Sequence, residues 1–264
     1  LENYKKMFNQ FGIKCELLIS AITKKKKQEL LERLESGEID ILIGTHAIIE
    51  ENVKFKNLGL VVTDEQHRFG VKQRIKIVEK GQNPDVIVMT ATPIPRTLAL
   101  IIYGDLDITI IDELPPNRKK IDTFAVKKGL EERVNNFVKK QINEGRQCYI
   151  VCPLVEESEE MDLKSVIELY NTCKEDTFKE YKVEYIHGKM KPKEKDEIME
   201  KFKNGKIDIL ISTTVIEVGV DVPNASIMVV EDSQRFGLAQ LHQLRGRVGR
   251  GKYQSYCILK YSGN

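Results

Sequence analysis

The chain has 264 residues, which is more than one ordinary domain and about the length of two, since domains cluster near roughly 100–150 residues. Hydrophobic residues make up 41% and charged residues 31%, a mixture that can bury a core and excludes collagen-like and low-complexity chains. The formal net charge is +2, so any anionic partner must be bound by a local group of basic residues.

The chain carries no sign of a membrane segment or of export. No apolar stretch approaches the roughly 20 residues that cross a bilayer, and no charged start followed by an apolar run marks an export signal. We therefore expect a cytoplasmic protein that does not enter a membrane. The first residue is Leu1 rather than Met, and the opening segment LENYKKMFNQFG has a helical pattern. This beginning favours a piece of a longer protein.

The chain repeats itself at an offset of 168 residues. Ile39–Thr45 (IDILIGT) matches Ile207–Thr213 (IDILIST), with six identities in seven positions. An amphipathic helix precedes each segment, QELLERLESGE in the first half and DEIMEKFKNGK in the second, and similar strands follow, LVVTDEQHRFG and MVVEDSQRFG. The repeat favours a duplicated fold over a chance similarity between two halves.

Short β-branched runs such as ILIG, LVVTD, VIVMTAT, YIVCPLV, ILISTT and SIMVVED alternate with helical segments in both halves. This alternation is typical of parallel sheets covered by helices, so we expect two α/β domains. The prolines of the PPN segment at 115–117 interrupt the periodicity between them. We therefore predict a first domain over residues 1–113, a linker over 114–121 and a second domain over 122–264.

The cysteines do not indicate a disulfide scaffold or a zinc site. There are five, an odd number, which argues against a secreted disulfide framework. Cys148 and Cys152 lie in the apolar run QCYIVCPLV, and four residues of a strand span about 13 Å. This separation is too long for two ligands of one zinc ion, so we expect buried apolar thiols.

Polar residues follow two predicted strands of the first half, at the end where open parallel sheets bind ligands. Asp64 and Glu65 come directly after LVVT, and such a pair suits Mg²⁺ bound by Asp64, with Glu65 orienting or deprotonating a water. A solvated turn or a helix cap is the alternative for an acidic pair taken alone, and the context favours the metal. After VIVM, Thr90 and Thr92 precede two prolines and Arg96, which predicts a rigid loop that senses the neighbouring site.

The second half ends in QLHQLRGRVGRG, in which Arg245, Arg247 and Arg250 are separated by glycines. Guanidinium groups bind phosphate through two hydrogen bonds, and glycine lets the backbone approach a ligand closely. The segment is either a general nucleic-acid patch or a group that stabilises charge during phosphoryl transfer, and three arginines in six residues favour the second interpretation.

Small hydroxyl side chains stand at two further strand ends. Thr213 and Thr214 follow ILIS and suit a nucleic-acid phosphate. Thr45 and His46 occupy the equivalent place in the first half of the chain. Both pairs are therefore candidates for contact with a nucleic-acid backbone.

The segments DEQH, TATPIPRTL, STTVIEVGVDVP and QLHQLRGRVGRG, in this order and spacing, resemble motifs II, III, V and VI of superfamily 2 helicases and translocases. The resemblance covers essentially the whole chain. It implies two tandem RecA-like lobes with mainly parallel sheets, the first lobe truncated at its N-terminus, and ATP with Mg²⁺ bound in the cleft between them. More narrowly, DEQHRFGVKQR, YGDLDITIIDELPPNRKKI, VCPLVEESEEMDLKSV and HGKMKPKEKD look like the RecG family. That likeness implies an ATP-hydrolysing, monomeric DNA motor that remodels branched DNA and stalled replication forks in recombination and repair.

The resemblance implies a role for each matched residue. Asp64 would hold Mg²⁺ and Glu65 would act on the attacking water. The remaining residues implied are Gln243, Arg247 and Arg250 at the γ-phosphate; Gly219 and Asp221 at the nucleotide; His67, Thr90, Thr92 and Arg96 in coupling; and Gly44, Thr45, His46, Thr213 and Thr214 along the DNA backbone.

One motif of these helicases is absent from the sequence. The chain contains no GxxxxGK[ST], the loop that supplies a lysine and a backbone cradle for the phosphates of ATP. We therefore expect the 264-residue chain to be inactive by itself and ATP hydrolysis to need a longer protein.

Two other functions stay open. The motor of the transcription-repair coupling factor shares RFGVK, TATPIPRT and QLHQLRGRVGR, but its acidic motif is usually DEEQ, so His67 and the LPPNRKKI linker favour the RecG family. A degenerate module that binds DNA without catalysis would also lack the phosphate loop. The intact acidic pair and the arginines argue against such decay.

Overall fold

The computed structural model describes residues 2–64, 71–90, 107–113, 118–127, 129–153, 159–213 and 222–263 of the chain. The chain divides into two compact units, Leu1–Leu106 (unit 1) and Asp107–Asn264 (unit 2). The division falls before residue 113, and the linker over 114–121 stays a prediction.

Unit 1 is built from parallel strand pairs and helices. Its described elements, in chain order, are α1 (Glu2–Phe8), β1 (Cys15–Leu18), α2 (Lys24–Glu35), β2 (Ile41–Gly44), β3 (Leu60–Thr63), α3 (Val71–Val78) and β4 (Asp85–Val88). β1 pairs with β2 and β3 pairs with β4, both in parallel. The apolar side of α2 packs with β1 in one hydrophobic cluster, which includes Leu18, Leu30 and Leu34.

Unit 2 contains a six-stranded parallel sheet in the order β5-β10-β9-β6-β8-β7. Its described elements, in chain order, are β5 (Asp122–Lys127), α4 (Glu131–Asn143), β6 (Gln147–Cys152), α5 (Glu159–Thr172), β7 (Val183–Ile186), α6 (Pro192–Lys203), β8 (Ile209–Thr213), β9 (Ala225–Val230), α7 (Leu238–Arg245) and β10 (Tyr256–Tyr261). The predicted α/β class with mainly parallel sheets is confirmed.

Both faces of the six-stranded sheet are buried, because successive side chains of a strand point to opposite faces. Along β6, Tyr149 and Val151 join one hydrophobic cluster, which also holds side chains of α6 and α7. Cys148 and Ile150 join the other, which holds side chains of α4 and α5. The helices thus cover the sheet on both sides, and the continuous apolar runs of the sequence are explained by strands that have no solvated face.

The predicted repeat is confirmed in three dimensions. β1, α2 and β2 of unit 1 have the same bounds as β7, α6 and β8 of unit 2 at the offset of 168, apart from one further residue, Thr213, at the end of β8. The pairing register is also the same, since Cys15 lies opposite Ile41 and Val183 lies opposite Ile209. Even a side-chain contact recurs, because Asp40 and Asp208 each accept a hydrogen bond of 2.8 Å from the backbone N–H at the start of the neighbouring strand.

The strand pairing of unit 2 differs at β6 from that of the described part of unit 1. In unit 2, β6 lies between β8 and β9. In unit 1, the equivalents of those strands are β2 and β3, and no strand among the described residues of that unit pairs with both of them. Of the described helices, none has the length and apolar character that crossing a membrane requires.

Candidate functional site

Asp64 and Thr90 stand at the same edge of the β3–β4 pair. Thr63, the last residue of β3, lies opposite Val88, the last residue of β4, in parallel register. The backbone N–H of Met89 donates a hydrogen bond of 2.8 Å to the carbonyl oxygen of Thr63, so the pairing continues past the strand ends. Asp64 and Thr90 follow directly, and the structure therefore brings these two predicted site residues together at the carboxyl edge.

Gly44, Thr45 and His46 form the equivalent edge after β2. A side chain at Gly44 would collide with the carbonyl oxygen of Leu18 and approach Ile48 to 2.9 Å, so this glycine has a packing reason of its own. Thr45 precedes a short 3-10 turn over His46–Ile49, and both Thr45 and His46 are exposed. Contact with a DNA backbone stays a prediction for all three residues.

Thr213 has a different environment from Thr45. It is the last residue of β8, pairs with Cys152 and is 3% exposed, because β8 lies inside the sheet. Its neighbour Ser212 is buried as well, with a hydroxyl that has no hydrogen-bond partner. The prediction that Thr213 contacts DNA gains no support from its side chain, which is covered by the fold.

The arginine segment begins on α7 and continues into the following loop. Leu244 on α7 and Val248 in the following loop are buried in the core cluster of unit 2, and Val248 is 0% exposed. Gln243 and Arg247 are half-buried and Arg250 is exposed. The core thus fixes the backbone of the segment through its apolar members.

Two contacts refine the geometry of α7. The backbone N–H of Gly237, at the N-cap, donates to Oε1 of Gln240 at 3.0 Å, which satisfies one of the free donors at the helix start. Arg245 Nη2 lies 3.0 Å from His242 Nδ1, one turn earlier. Since a guanidinium group only donates, the histidine nitrogen accepts this hydrogen bond. Arg245 therefore makes a contact within its own helix, and its role toward a phosphate stays a prediction.

The repeat assigns unit 2 an acid that sequence reasoning did not select. Asp232 follows β9 and corresponds to Asp64 at the offset of 168. Its Oδ1 accepts hydrogen bonds from Ser262 Oγ at 3.1 Å and from Gln234 Nε2 at 3.3 Å. This carboxylate connects the loop before α7 to the residue after β10. The alignment of LVVTD with MVVED was the signal that could have found it.

Several predicted site residues lie outside the described part of the chain. They are Glu65, His67, Thr92, Arg96, Thr214, Gly219 and Asp221. Their roles stay predictions from the sequence.

The donors at the β3–β4 edge suit a divalent cation in chemistry but do not form a complete site by themselves. The Asp64 carboxylate is the kind of oxygen ligand that Mg²⁺ prefers, and the neighbouring Thr63 hydroxyl is buried without a hydrogen-bond partner. No group of three potential metal ligands occurs among the described residues. The sequence also has no phosphate loop, so these residues fit the cation and do not enclose a triphosphate.

Two family models match the chain. The DEAD/DEAH box helicase model matches residues 1–101, and the helicase conserved C-terminal domain model matches residues 130–252. The first match falls within unit 1 and the second within unit 2. Each unit therefore resembles one half of a helicase motor.

Curated relatives are similar along nearly the whole chain. The ATP-dependent DNA helicase RecG of Bacillus subtilis (strain 168) is 54% identical over 253 residues, which are 96% of this chain and 37% of that protein. The protein of the same name from Thermotoga maritima is 52% identical over 252 residues, which are 96% of this chain and 32% of that protein. The chain thus spans about a third of the length of these relatives.

Solved structures show the same relationship. A RecG bound to a three-way DNA junction has a TM-score of 0.76 and 46% identity, and the match covers 100% of this chain and 34% of that one. A variant of yeast Dbp5 bound to RNA and ADP BeF3 has a TM-score of 0.68 at 17% identity, over 100% of this chain and 68% of the other. The second likeness shows the fold alone.

Proposed function

Because the chain belongs to the RecG family of superfamily 2 helicases, we propose that it supplies the central part of the motor of an ATP-dependent DNA helicase. The whole protein would remodel branched DNA and stalled replication forks in recombination and repair. The observation that carries this proposal is the 54% identity with the Bacillus subtilis RecG over 96% of the chain. The solved RecG on a three-way junction supports branched DNA as the substrate.

The acidic motif would supply the hydrolytic chemistry. Asp64 stands at the carboxyl edge of two parallel strands, the usual place of ligand-binding residues in such sheets. There it would hold Mg²⁺, which when bound neutralises phosphate charge. Glu65 would orient the attacking water and accept its proton. Thr90, beside Asp64 at the same edge, would report the state of the site to the rest of the motor, together with His67, Thr92 and Arg96.

The arginine segment would stabilise the negative charge that develops on the γ-phosphate during hydrolysis. Gln243, Arg247 and Arg250 are held on a backbone that Leu244 and Val248 anchor in the core. Guanidinium groups positioned in advance stabilise the charge that develops on a transferred phosphoryl group, without reorganisation during the reaction. We assign Arg247 and Arg250 to this role at the γ-phosphate.

The other functions considered for the sequence are less well supported. The curated relatives described above carry the RecG name rather than that of the coupling factor. A decayed module would not be expected to keep Asp64 at the strand edge and three arginines on an ordered segment. We place the motor in the cytoplasm, the compartment that contains bacterial DNA, and expect a monomer because one chain carries both the acidic and the arginine motifs.

The substitution Glu65→Gln tests this function in a protein of the relatives' length. We expect ATP and branched DNA to bind as before, because glutamine fills the same space. Turnover should fall roughly a hundredfold or more, since glutamine does not accept the proton of the attacking water. Phosphate release with a three-way junction, with linear duplex and without DNA measures both the loss and the substrate preference.

Two results would count against the proposal. Near-normal hydrolysis by the Glu65→Gln protein would remove Glu65 from the chemistry. Failure of branched DNA to stimulate the unsubstituted protein above linear duplex would remove branched DNA as the preferred substrate.

A further inference from the structure

The loop of the arginine segment is held by a stretch of chain that the sequence marks only as part of a linker. Gly249 lies between Arg247 and Arg250, and its carbonyl oxygen accepts a hydrogen bond from Arg118 Nε at 3.2 Å. Arg118 is half-buried, and 131 residues of chain separate it from Gly249. A side chain close to the start of unit 2 therefore contacts the backbone between the two candidate γ-phosphate arginines.

A second contact joins the same two segments. Gly249 has a φ of +83°, a conformation that favours glycine, and a Cβ there would lie 2.9 Å from Ile121 Cγ1. Ile121 in turn packs against the core cluster that contains Val248. The isoleucine thus closes one side of the loop at the point where Arg118 binds its carbonyl group.

The two segments that meet in the contact between Arg118 and Gly249 are each held by further contacts. Gln254 Nε2 donates to the carbonyl oxygen of Lys120 at 2.8 Å and to Asp122 Oδ2 at 3.2 Å, which ties the 118–122 segment to the chain just after the arginines. On the other side, a side chain at Gly251 would collide with the carbonyl oxygen of Pro223. The arginine loop is consequently enclosed by residues 118–122 and by Pro223.

We propose that Arg118 is a positioning residue, which sets the placement of Arg247 and Arg250 through its hydrogen bond to Gly249. The proposal rests on the function proposed above, because it requires those arginines to act on ATP. Its physical basis is that catalysis by preset charges is sensitive to small displacements: misplacement by about 1 Å can cost up to a hundredfold in rate. Arg118 itself would touch neither ATP nor DNA.

The first test is Arg118→Ala in a protein of the relatives' length. We expect kcat for DNA-stimulated ATP hydrolysis to fall roughly tenfold, while KM for ATP and the Kd for a three-way junction stay within about twofold. Arg133→Ala, which removes an exposed arginine on α4, is the matched control and should leave all three constants unchanged. Full kcat in the Arg118→Ala protein would overturn the proposal, and so would a parallel rise in KM, which would indicate direct binding of ATP.

A double-mutant cycle tests whether Arg118 acts through the arginines. If it does, Arg118→Ala should cause no further loss of kcat in a protein that already carries Arg250→Ala and Arg247→Ala. An additional tenfold loss in that background would overturn the proposal. Arg118→Lys keeps the charge and the apolar stem but lacks the Nε–H, so it should reproduce the kcat loss if the alanine variant does not fold.

The assays distinguish a failure of the positioning role of Arg118 from a failure of the proposed helicase function. The unsubstituted protein is assayed first for hydrolysis stimulated by branched DNA, and its failure would count against the proposed function. Normal hydrolysis by the unsubstituted protein together with normal kcat in both Arg118 variants would reject the positioning role alone.

Discussion

Asp64 and Asp232 occupy the same position of the repeat, and we propose that they serve different purposes. Asp64 follows β3 at an edge where Thr90 also stands. Asp232 follows β9, has a φ of +43°, and accepts hydrogen bonds from Gln234 and Ser262. Aspartate tolerates this left-handed conformation better than most residues, so the position suits a structural carboxylate. We infer that duplication placed an acid at both strand ends and that unit 2 uses its copy to connect two segments.

This difference predicts opposite results for two matched substitutions. In a protein of the relatives' length, Asp64→Asn should lower Mg²⁺-dependent ATP hydrolysis roughly a hundredfold, because an amide oxygen is a poor substitute for a carboxylate at a metal. Asp232→Asn should stay within about twofold of the unsubstituted rate, since an amide oxygen can still accept the hydrogen bond from Ser262. Steady-state phosphate release over a range of Mg²⁺ concentrations measures both effects. Equal losses in the two variants would show that the acids do not differ in function.

Residue types predicted where strands end better than they predicted the exposure of the residues there. The pattern placed Thr213 among DNA-contacting residues because a small hydroxyl follows a strand, yet its side chain is buried beside Cys152. Gly44 was named for DNA contact through the family resemblance alone, and its close approach to the carbonyl oxygen of Leu18 gives the glycine a packing reason. Position along a strand is readable from sequence, whereas burial of the last residue depends on which strands lie on either side.

Among the elements, strands at the centre of the six-stranded sheet were the easiest to predict. β6, β8 and β9 consist of residues that are all buried, and their continuous apolar runs stand out in the sequence. β5 and β7 lie at the two edges of the sheet and include exposed or half-buried positions, so they lack such a run. The order of the strands was not predictable, because parallel pairing joins segments that are far apart in sequence.

The paired helices show how local signals set element ends. The apolar periodicity marked helices from Gln28 and Asp196, but α2 and α6 each begin four residues earlier, at Lys24 and Pro192. Proline is favoured at the first position of a helix because its missing N–H is not needed there. The first turn of α6 is therefore explained by backbone chemistry rather than by an apolar face.

The cysteines of β6 behave as the sequence predicted. All five cysteines of the chain are buried and free of disulfide bonds. Burial raises the pKa of Cys152 from 9.0 to about 12, and burial likewise raises the pKa of Cys173 to about 12. The thiolate form is thus disfavoured in the folded protein, which is the property of a core residue and not of a metal ligand or a nucleophile.

These shifts predict how stability depends on pH. Below pH about 9 the thiols are protonated in both the folded and the unfolded chain, so their contribution is fully present. As the pH rises from about 9 towards 12, the unfolded chain loses these protons first, and each thiol lowers the free energy of unfolding by up to roughly 1.4 kcal/mol per pH unit. Urea unfolding in a reducing agent, followed by circular dichroism because the chain has no tryptophan, measures this slope.

A Cys152→Ala variant supplies the comparison. It removes one of the titrating thiols, so its free energy of unfolding should fall less steeply with pH above about 9 than that of the unsubstituted protein. The difference in slope isolates the thiol from lysine and tyrosine side chains, which titrate in both proteins. Equal slopes would show that Cys152 does not keep a raised pKa.

At the scale of the whole molecule, the repeat relates the two units more closely than their sequences suggest. A strand, a helix and a second strand recur with the same bounds, apart from one extra residue at the end of β8, and with the same register. The core positions of the two helices differ in identity but stay apolar, with Leu30, Leu31 and Leu34 in α2 against Ile198, Met199 and Phe202 in α6. The duplication was predictable because these constraints act on local sequence, whereas the placement of β6 between β8 and β9 depends on long-range pairing.

The two units differ in which parts of an ATP site they contain. Unit 2 has a six-stranded parallel sheet whose central strands are buried on both faces, and it carries the arginine segment in the loop after α7. Unit 1 has the acidic residue at a strand edge, and no phosphate loop occurs anywhere in the sequence. The chain therefore contains the residues proposed to act on a phosphate, and its sequence has no loop of the kind that binds the triphosphate.

We accordingly expect the 264-residue chain to release no phosphate from ATP above background, because binding of the triphosphate in such motors depends mainly on the lysine and backbone amides of that loop. The exposed Thr45, His46 and Arg250 should still allow weak contact with a DNA backbone. Such contact should weaken steeply between about 50 and 200 mM salt, since it releases counterions from the phosphates. Phosphate release and fluorescence anisotropy with a labelled three-way junction, measured beside a protein of the relatives' length, test both expectations. DNA-stimulated hydrolysis by the short chain would contradict the role given to the missing loop, whereas salt-independent binding would contradict the backbone contact.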